Sequence, residues 1–141
     1  MQGTHEQRHS VLAAVSDAMV KLHKEQFGRG ATNARSNFAG PDMLVCMLQD
    51  VLLPAERKLV DMGDQGRVRE ARITFQAATE DEFIAAVEQI VHRKVLGFAS
   101  GVDPNANMVF ETFYFARESG GDGMVVAEPA DELAEHRQVG T

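Results

Sequence analysis

The fold of this chain is decided by residues 36–48, whose sequence is SNFAGPDMLVCML. Gly40 and Pro41 lie at the centre of the segment and predict a turn, because both residue types favour the backbone angles that turns require. Short extended stretches lie on either side, at residues 36–38 and 43–48. The segment therefore predicts two antiparallel strands joined by a tight connection.

The second of these strands is apolar on both faces. Side chains alternate along a strand, so three lie on each face: Leu44, Cys46 and Leu48 on one, and Met43, Val45 and Met47 on the other. A strand that is covered by helices on one side only should alternate between apolar and polar residues. We therefore expect the second face to be covered as well, either by the C-terminal tail or by a second subunit.

The remaining elements predict the order α-β-β-α-α-β-β. Apolar spacing predicts a helix at 6–27 ended by Gly28, a short helix at 54–60 ended by Gly63, and a long helix that kinks near Thr79. The stripe predicted to be buried on that long helix comprises Val68, Ala71, Phe75, Ala78, Phe83, Val87, Ile90 and Val91. Two further strands are predicted at 94–100 and 108–116. The simplest packing is a single α+β domain, in which two antiparallel hairpins form one four-stranded sheet with helices packed on one face.

Composition limits the possible partners. The 141 residues suit one domain, and the net charge of −7 argues against nucleic acid or an anionic membrane surface as a partner. No apolar run is long enough for direct membrane insertion. A single cysteine and an N-terminus without a signal-like apolar region favour a cytoplasmic location. The excess acidity lies in residues 118–141, which we expect to be a flexible tail that follows a folded domain of residues 1–117.

A possible zinc motif lies at the start of the chain, in His5-Glu6-Gln7-Arg8-His9. On a helix this spacing can place two histidines on one face for zinc binding. The motif falls in the first helical turn, where fraying is expected, and no third ligand follows it. We therefore predict no metal and no cofactor. A metal-dependent hydrolase would require stoichiometric zinc in the purified protein.

A possible anion site surrounds Gly28, Arg29 and Gly30, with Lys24 before and Arg35 after them. Glycines let a backbone approach a ligand, and arginine offers forked donors to an oxyanion. The alternative interpretation is a glycine cap with cations near a helix C-terminus, where positive charge offsets the helix dipole. Both interpretations remain open from the sequence.

Other reactive residue types have structural interpretations. Cys46 lies in the most apolar strand and is interpreted as buried filler. His23 and His92 lie near helix ends and are interpreted as capping or surface residues. The basic residues Arg67, Arg69 and Arg72 are interpreted as a solvated face. Without a recognisable nucleophile, base or paired carboxylates, the chain is predicted to be non-enzymatic.

The second and fourth strands carry more large apolar residues than one small core needs. They are either core residues or part of a symmetric homodimer interface through the sheet. Tyr114 belongs to this group, and the interface candidates are Met43, Val45, Met47, Phe113 and Phe115.

Three segments carry a family resemblance: LHKEQFGRGATNAR at 22–35, PAERKLV at 54–60, and Phe75-Gln76 with Asp81-Glu82-Phe83 in the long helix. In this order and spacing they resemble the MpsC-like family over about residues 8–117. The recurrent glycine and arginine positions of that family match Gly28, Arg29, Gly30 and Arg35. The resemblance implies a small cytoplasmic component of a Na⁺-translocating, membrane-potential-generating system linked to inorganic-carbon uptake.

Two functions follow as hypotheses. The first is a non-enzymatic accessory or regulatory protein that acts through protein–protein contacts, as a homodimer and with a membrane transport protein as partner. The alternative is a small-anion sensor domain that binds bicarbonate or a phosphorylated metabolite.

Overall fold

The computed structural model describes residues 5–117, so the predicted tail at 118–141 lies outside the described part of the chain. The predicted order of elements is confirmed. The elements are α1 (His5–Phe27), β1 (Asn33–Phe38), β2 (Met43–Gln49), α2 (Pro54–Asp61), α3 (Gln65–Val91), β3 (Val95–Asp103) and β4 (Met108–Phe115).

The four strands form one antiparallel sheet in the order β1-β2-β4-β3. The two hairpins lie side by side, with β2 and β4 paired at the centre. One row of directly paired residues crosses all four strands of the sheet and includes the buried Glu111. Ser36 lies opposite Cys46, Cys46 opposite Glu111, and Glu111 opposite Ser100. These side chains share the face on which the helices pack, which we call the inner face.

The core lies between the inner face and the helix layer. Fully buried apolar side chains come from both central strands and from α1 and α3. They include Val15, Met19, Leu44, Cys46, Leu48, Phe83, Val87, Phe113 and Phe115. The predicted α+β architecture, with helices on one side of the sheet, is therefore confirmed.

Glycines end the first two helices as the sequence predicts. Gly28 and Gly63 both have φ of +82°, in the left-handed region that glycine adopts without a Cβ clash. The Gly28 N–H donates to the Lys24 carbonyl oxygen at 2.8 Å, which satisfies one of the last carbonyls of α1.

The long helix α3 differs from the prediction in two ways. It continues unbroken through Thr79, where a kink was expected. In its first half the buried positions are Val68, Arg72 and Gln76, whereas Phe75 is 56% exposed. The apolar stripe was therefore misplaced there, because two of the buried positions carry polar side chains that have partners in the interior.

The other face of the sheet, which we call the outer face, carries no helix of the described residues. Met43, Val45 and Met47 of β2 are half-buried there, and Phe110 and Tyr114 of β4 are 39% and 40% exposed. None of the helices formed by residues 5–117 is long and apolar enough to cross a membrane.

Candidate functional site

The loop that follows α1 is held by an ion pair. Arg29 Nη2 lies 2.7 Å from Asp50 Oδ2, and Arg29 Nε donates to the Asp50 carbonyl oxygen at 3.3 Å. Desolvation acts to raise the pKa of Asp50, but hydrogen bonds from Arg29 and Thr32 and the nearby charges lower that pKa below its ordinary value. Gly30 lies close to α1, because an added Cβ would come within 3.0 Å of Val20 Cγ1. The loop is therefore tied to the strand end and to the helix.

The structure does not bring the predicted anion-binding residues together. Lys24 is exposed on α1, and Arg35 lies on the outer face, opposite Met47. Gly28 serves as a helix cap, and Arg29 is engaged by an acid. A shared site of Lys24, Arg29 and Arg35 is therefore not formed.

Arg29 instead lines an open cleft with residues of α2. The cleft has about 480 Å³ of empty volume and is lined by Arg29, Leu52, Pro54, Arg57, Lys58 and Asp61. Three of these six side chains are cationic and one is acidic.

The interface prediction requires a correction on β4. Phe113 and Phe115 are fully buried on the inner face, because their side chains pack under the helices. Phe110 and Tyr114 alternate with them and lie on the outer face, beside the predicted Met43, Val45 and Met47. For those three β2 residues a role in an interface stays a prediction.

A buried polar cluster lies at the centre of the inner face. His23 Nε2 lies 2.7 Å from Glu111 Oε2, and Gln76 Nε2 donates to the same oxygen at 2.8 Å. His23 is 2% exposed, Glu111 0% and Gln76 7%. Because a carboxylate only accepts hydrogen bonds, Nε2 of His23 is the donor to Glu111. The interpretation of His23 as a capping or surface residue was therefore wrong.

Arg72 extends this cluster towards α2. Its Nε and Nη2 donate to the two carboxylate oxygens of Glu56 at 2.8 and 2.6 Å, and Nη2 also donates to the Val51 carbonyl oxygen at 3.1 Å. The guanidinium lies 4.0 Å from the centre of the Phe27 ring. Arg72 is 4% exposed, so it does not belong to the solvated basic face that the sequence predicted.

One signal in the sequence could have located the cluster. Glu111 occupies an inner-face position between Val109 and Phe113, and a charged residue at a buried strand position requires a buried partner. His23 gave no comparable signal, because it lies near the end of α1, where capping is an ordinary role.

A narrow cleft leads to the cluster between α1, α3 and β3. It has about 260 Å³ of empty volume, including its open mouth. Its lining combines apolar walls with the polar cluster and comprises His23, Phe27, Arg72, Ile73, Gln76, Ser100, Gly101, Val102 and Val109.

Two further predictions concern Cys46 in β2 and the possible zinc motif at the start of α1. Burial raises the pKa of the Cys46 thiol to about 11, so it stays protonated at neutral pH and suits the predicted role of filler. Glu6 and His9 are exposed in the first turns of α1. Within residues 5–117, no group of three or more histidine, cysteine or acidic side chains could hold a metal ion.

Comparison with known proteins identifies the family. The profile of the family described as Na⁺-translocating membrane potential-generating system (MpsC) matches residues 7–117. The chain belongs to the MpsC family. The match covers every helix and strand of this MpsC family member except the first two residues of α1. No curated protein and no solved structure gives a significant match.

Proposed function

We propose that this MpsC family member is a non-enzymatic, cytoplasmic accessory protein of a membrane system that moves ions or inorganic carbon, and that it acts through protein–protein contacts. The family description supports the link to a Na⁺-translocating system. The observation that carries the proposal is the outer face of the sheet, which is apolar at its centre and carries no helix of the described residues.

The centre of the outer face is mainly apolar, with Thr112 opposite Val45 as the polar position between the aromatic residues of β4. Tyr114 lies opposite Met43, and Phe110 lies opposite Met47, across the paired central strands. Contiguous exposed apolar patches on a folded domain mark interaction sites, because covering them releases apolar area from water. The outer face is therefore a docking surface.

The partner that fits this docking surface is a second copy of the chain, because the edge strands of two facing sheets are complementary. Consider a two-fold axis that is parallel to the strands and lies between two facing sheets. It places β1 of one copy over β3 of the other, so that Arg35 and its neighbouring asparagines meet a strand that presents Gly97, Ala99 and Gly101. Arg35 then lies above Gly101, two residues from Asp103 of the facing strand, within reach of an arginine side chain. Size and charge are complementary at both edges.

The area of the outer face sets the strength of this dimer. Four strands with spacings of about 4.8 Å and lengths of about seven residues give a projected area of roughly 400 Å². Stable protein complexes bury about 800 Å² on each partner. We therefore expect a reversible dimer whose population depends on concentration.

Light scattering on the full-length protein tests the docking surface. With rising concentration the mass should increase from 15.4 kDa towards twice that value. Phe110→Asp should hold the protein at the monomer mass, because it places a charge at the centre of the interface. Met62→Asp is the matched control, since Met62 is 70% exposed and lies after α2, and it should dimerise like the wild type. A wild-type protein that stays monomeric at all concentrations would exclude the second copy as occupant.

A second candidate function is small-anion sensing at the cleft formed by Arg29, Arg57 and Lys58. The three cations around one open volume favour it, with bicarbonate or a phosphorylated metabolite as ligand. Inorganic phosphate or bicarbonate should then raise the melting temperature above that in chloride of equal ionic strength. The Arg57→Ala variant should lose this shift, and Arg35→Ala, on the outer face, should retain it. An unchanged melting temperature in the wild type argues against this candidate.

A further inference from the structure

The chain leaves the folded domain at one end of the docking surface. The strand β4 ends at Phe115, and Arg117 is held beside it, because its Nε lies 3.4 Å from Asp42 Oδ2. Tyr114 and Met43 form the row of the outer face at this end of the sheet. Residues 118–141 therefore begin next to an apolar surface that no helix of residues 5–117 covers.

The sequence after Arg117 suits a return over the outer face. Three glycines lie within residues 118–123, and glycine permits the left-handed backbone that a sharp reversal needs. Residues 116–123 can span about 26 Å, whereas packed layers lie only about 10 Å above a sheet. The apolar run Met124-Val125-Val126-Ala127 follows, and Glu128 comes directly after it.

The length of this run matches the spacing of residues on the outer face. Tyr114 and Phe110 lie four positions apart on β4, which is about 14 Å along the strand. Arg35 is exposed in the same row as Phe110, since both lie opposite the same residue of β2. An extended segment from Met124 to Glu128 also spans four positions. When its first residue lies above Tyr114, its last lies beside Arg35.

We infer that residues 124–128 bind the outer face of their own domain and compete there with the second copy of the chain. Side chains alternate along an extended segment, so Met124 and Val126 face the sheet with Glu128, and Val125 faces away. The carboxylate of Glu128 pairs with Arg35, the residue that reaches Asp103 in the dimer. The two occupants therefore exclude each other. The inference rests on the proposed docking surface and adds its regulation by the tail.

Quenching of tyrosine fluorescence tests the tail contact independently of the dimer. The chain has one tyrosine and no tryptophan, so the intrinsic emission reports Tyr114 alone. Acrylamide, a neutral quencher, is added to the full-length protein at a concentration where light scattering gives the monomer mass. The double variant Met124→Asp with Val126→Asp should raise the quenching constant about twofold, because fewer molecules have a covered ring.

A matched control and a charge exchange locate the contact. Val125→Asp places the same charge on the side that faces away and should leave the quenching constant unchanged. Glu128→Arg should raise the constant, and adding Arg35→Glu should restore the wild-type value, because opposite charges are paired again. An unchanged constant in the Met124→Asp, Val126→Asp variant would overturn the inference, and an exchange that restores nothing would overturn the pairing with Arg35.

Light scattering over a range of concentrations then tests the competition. The double variant should dimerise with a Kd about fivefold lower than that of the wild type, because a covered face cannot bind a second copy. Val125→Asp should dimerise like the wild type. A raised quenching constant with an unchanged dimer Kd would overturn the competition. If no variant dimerises, the second copy is excluded as an occupant, while the quenching result still decides whether the tail binds the outer face.

Discussion

Replacement of Glu111 by leucine is expected to lower the free energy of unfolding by about 3–5 kcal/mol, among the largest effects of any single substitution in this chain. The substitution keeps a side chain of similar size but removes the acceptor shared by His23 and Gln76. Two buried N–H donors then have no protein partner in the interior. Urea unfolding followed by circular dichroism measures the loss.

A second substitution separates the hydrogen bond between His23 and Glu111 from simple packing. The double variant His23→Leu with Glu111→Leu removes both members of the pair, and we expect it to recover most of the stability lost by Glu111→Leu alone. Glu25→Leu, an exposed glutamate on α1, is the control and should change the stability by less than about 0.5 kcal/mol. A single variant as stable as the wild type would show that the cluster does not bear on folding.

The double variant also tests whether folding accounts for the polar cluster. When both partners of a buried hydrogen bond are replaced by apolar groups of similar shape, the change can be nearly neutral or stabilising. If the double variant matches the wild type in stability, folding does not account for the polar cluster.

The fold could be predicted because its signals are local. Gly40 and Pro41 set the first hairpin, Gly28 and Gly63 end two helices, and apolar spacing marks α1. Each depends on backbone angles or on residues within a few positions of one another. The order of the strands stayed open, because the pairing of β2 with β4 joins residues that are 59 to 71 positions apart in the sequence.

The candidate site could not be predicted because its partners are distant in sequence. His23 and Glu111 are 88 residues apart, and Gln76 and Glu111 are 35 apart. Hydropathy favoured Phe75 for the buried side of α3, yet Gln76 is the residue that faces inwards. A buried polar residue resembles a surface residue in sequence unless its partner is known.

The faces of β4 illustrate the same limit. Both faces are rich in aromatic residues, so alternation alone could not tell which set would pack beneath the helices. Glu111 shares a face with Phe113 and Phe115, and its charge argued against burial of that set. The structure buries it because His23 and Gln76 supply the hydrogen bonds that the carboxylate needs.

Glu56→Gln is expected to lower the free energy of unfolding at pH 7 by about 3 kcal/mol, because it breaks a largely buried ion pair. Glu56 joins α2 to α3, because its carboxylate accepts two hydrogen bonds from Arg72 and one from the Leu53 N–H at 2.8 Å. The amide of glutamine keeps one acceptor oxygen but places an N–H₂ group against the guanidinium and leaves the buried charge of Arg72 uncompensated. Thermal or urea unfolding measures the change, and Glu70→Gln, exposed on α3, is the matched control.

The difference between the wild type and Glu56→Gln should disappear in acid. Burial acts to raise the pKa of Glu56, but the hydrogen bonds and charge of Arg72, together with the Leu53 N–H, lower the pKa below its ordinary value of 4.5. A carboxyl group with a lowered pKa in the folded state stabilises the fold above its unfolded pKa, and this contribution is lost as the pH falls through the folded pKa. The stability difference should therefore be constant from pH 8 to about pH 5 and shrink below pH 4.5. A difference that persists unchanged at pH 3 would mean that the packing of α2, and not the charge of Glu56, accounts for the effect.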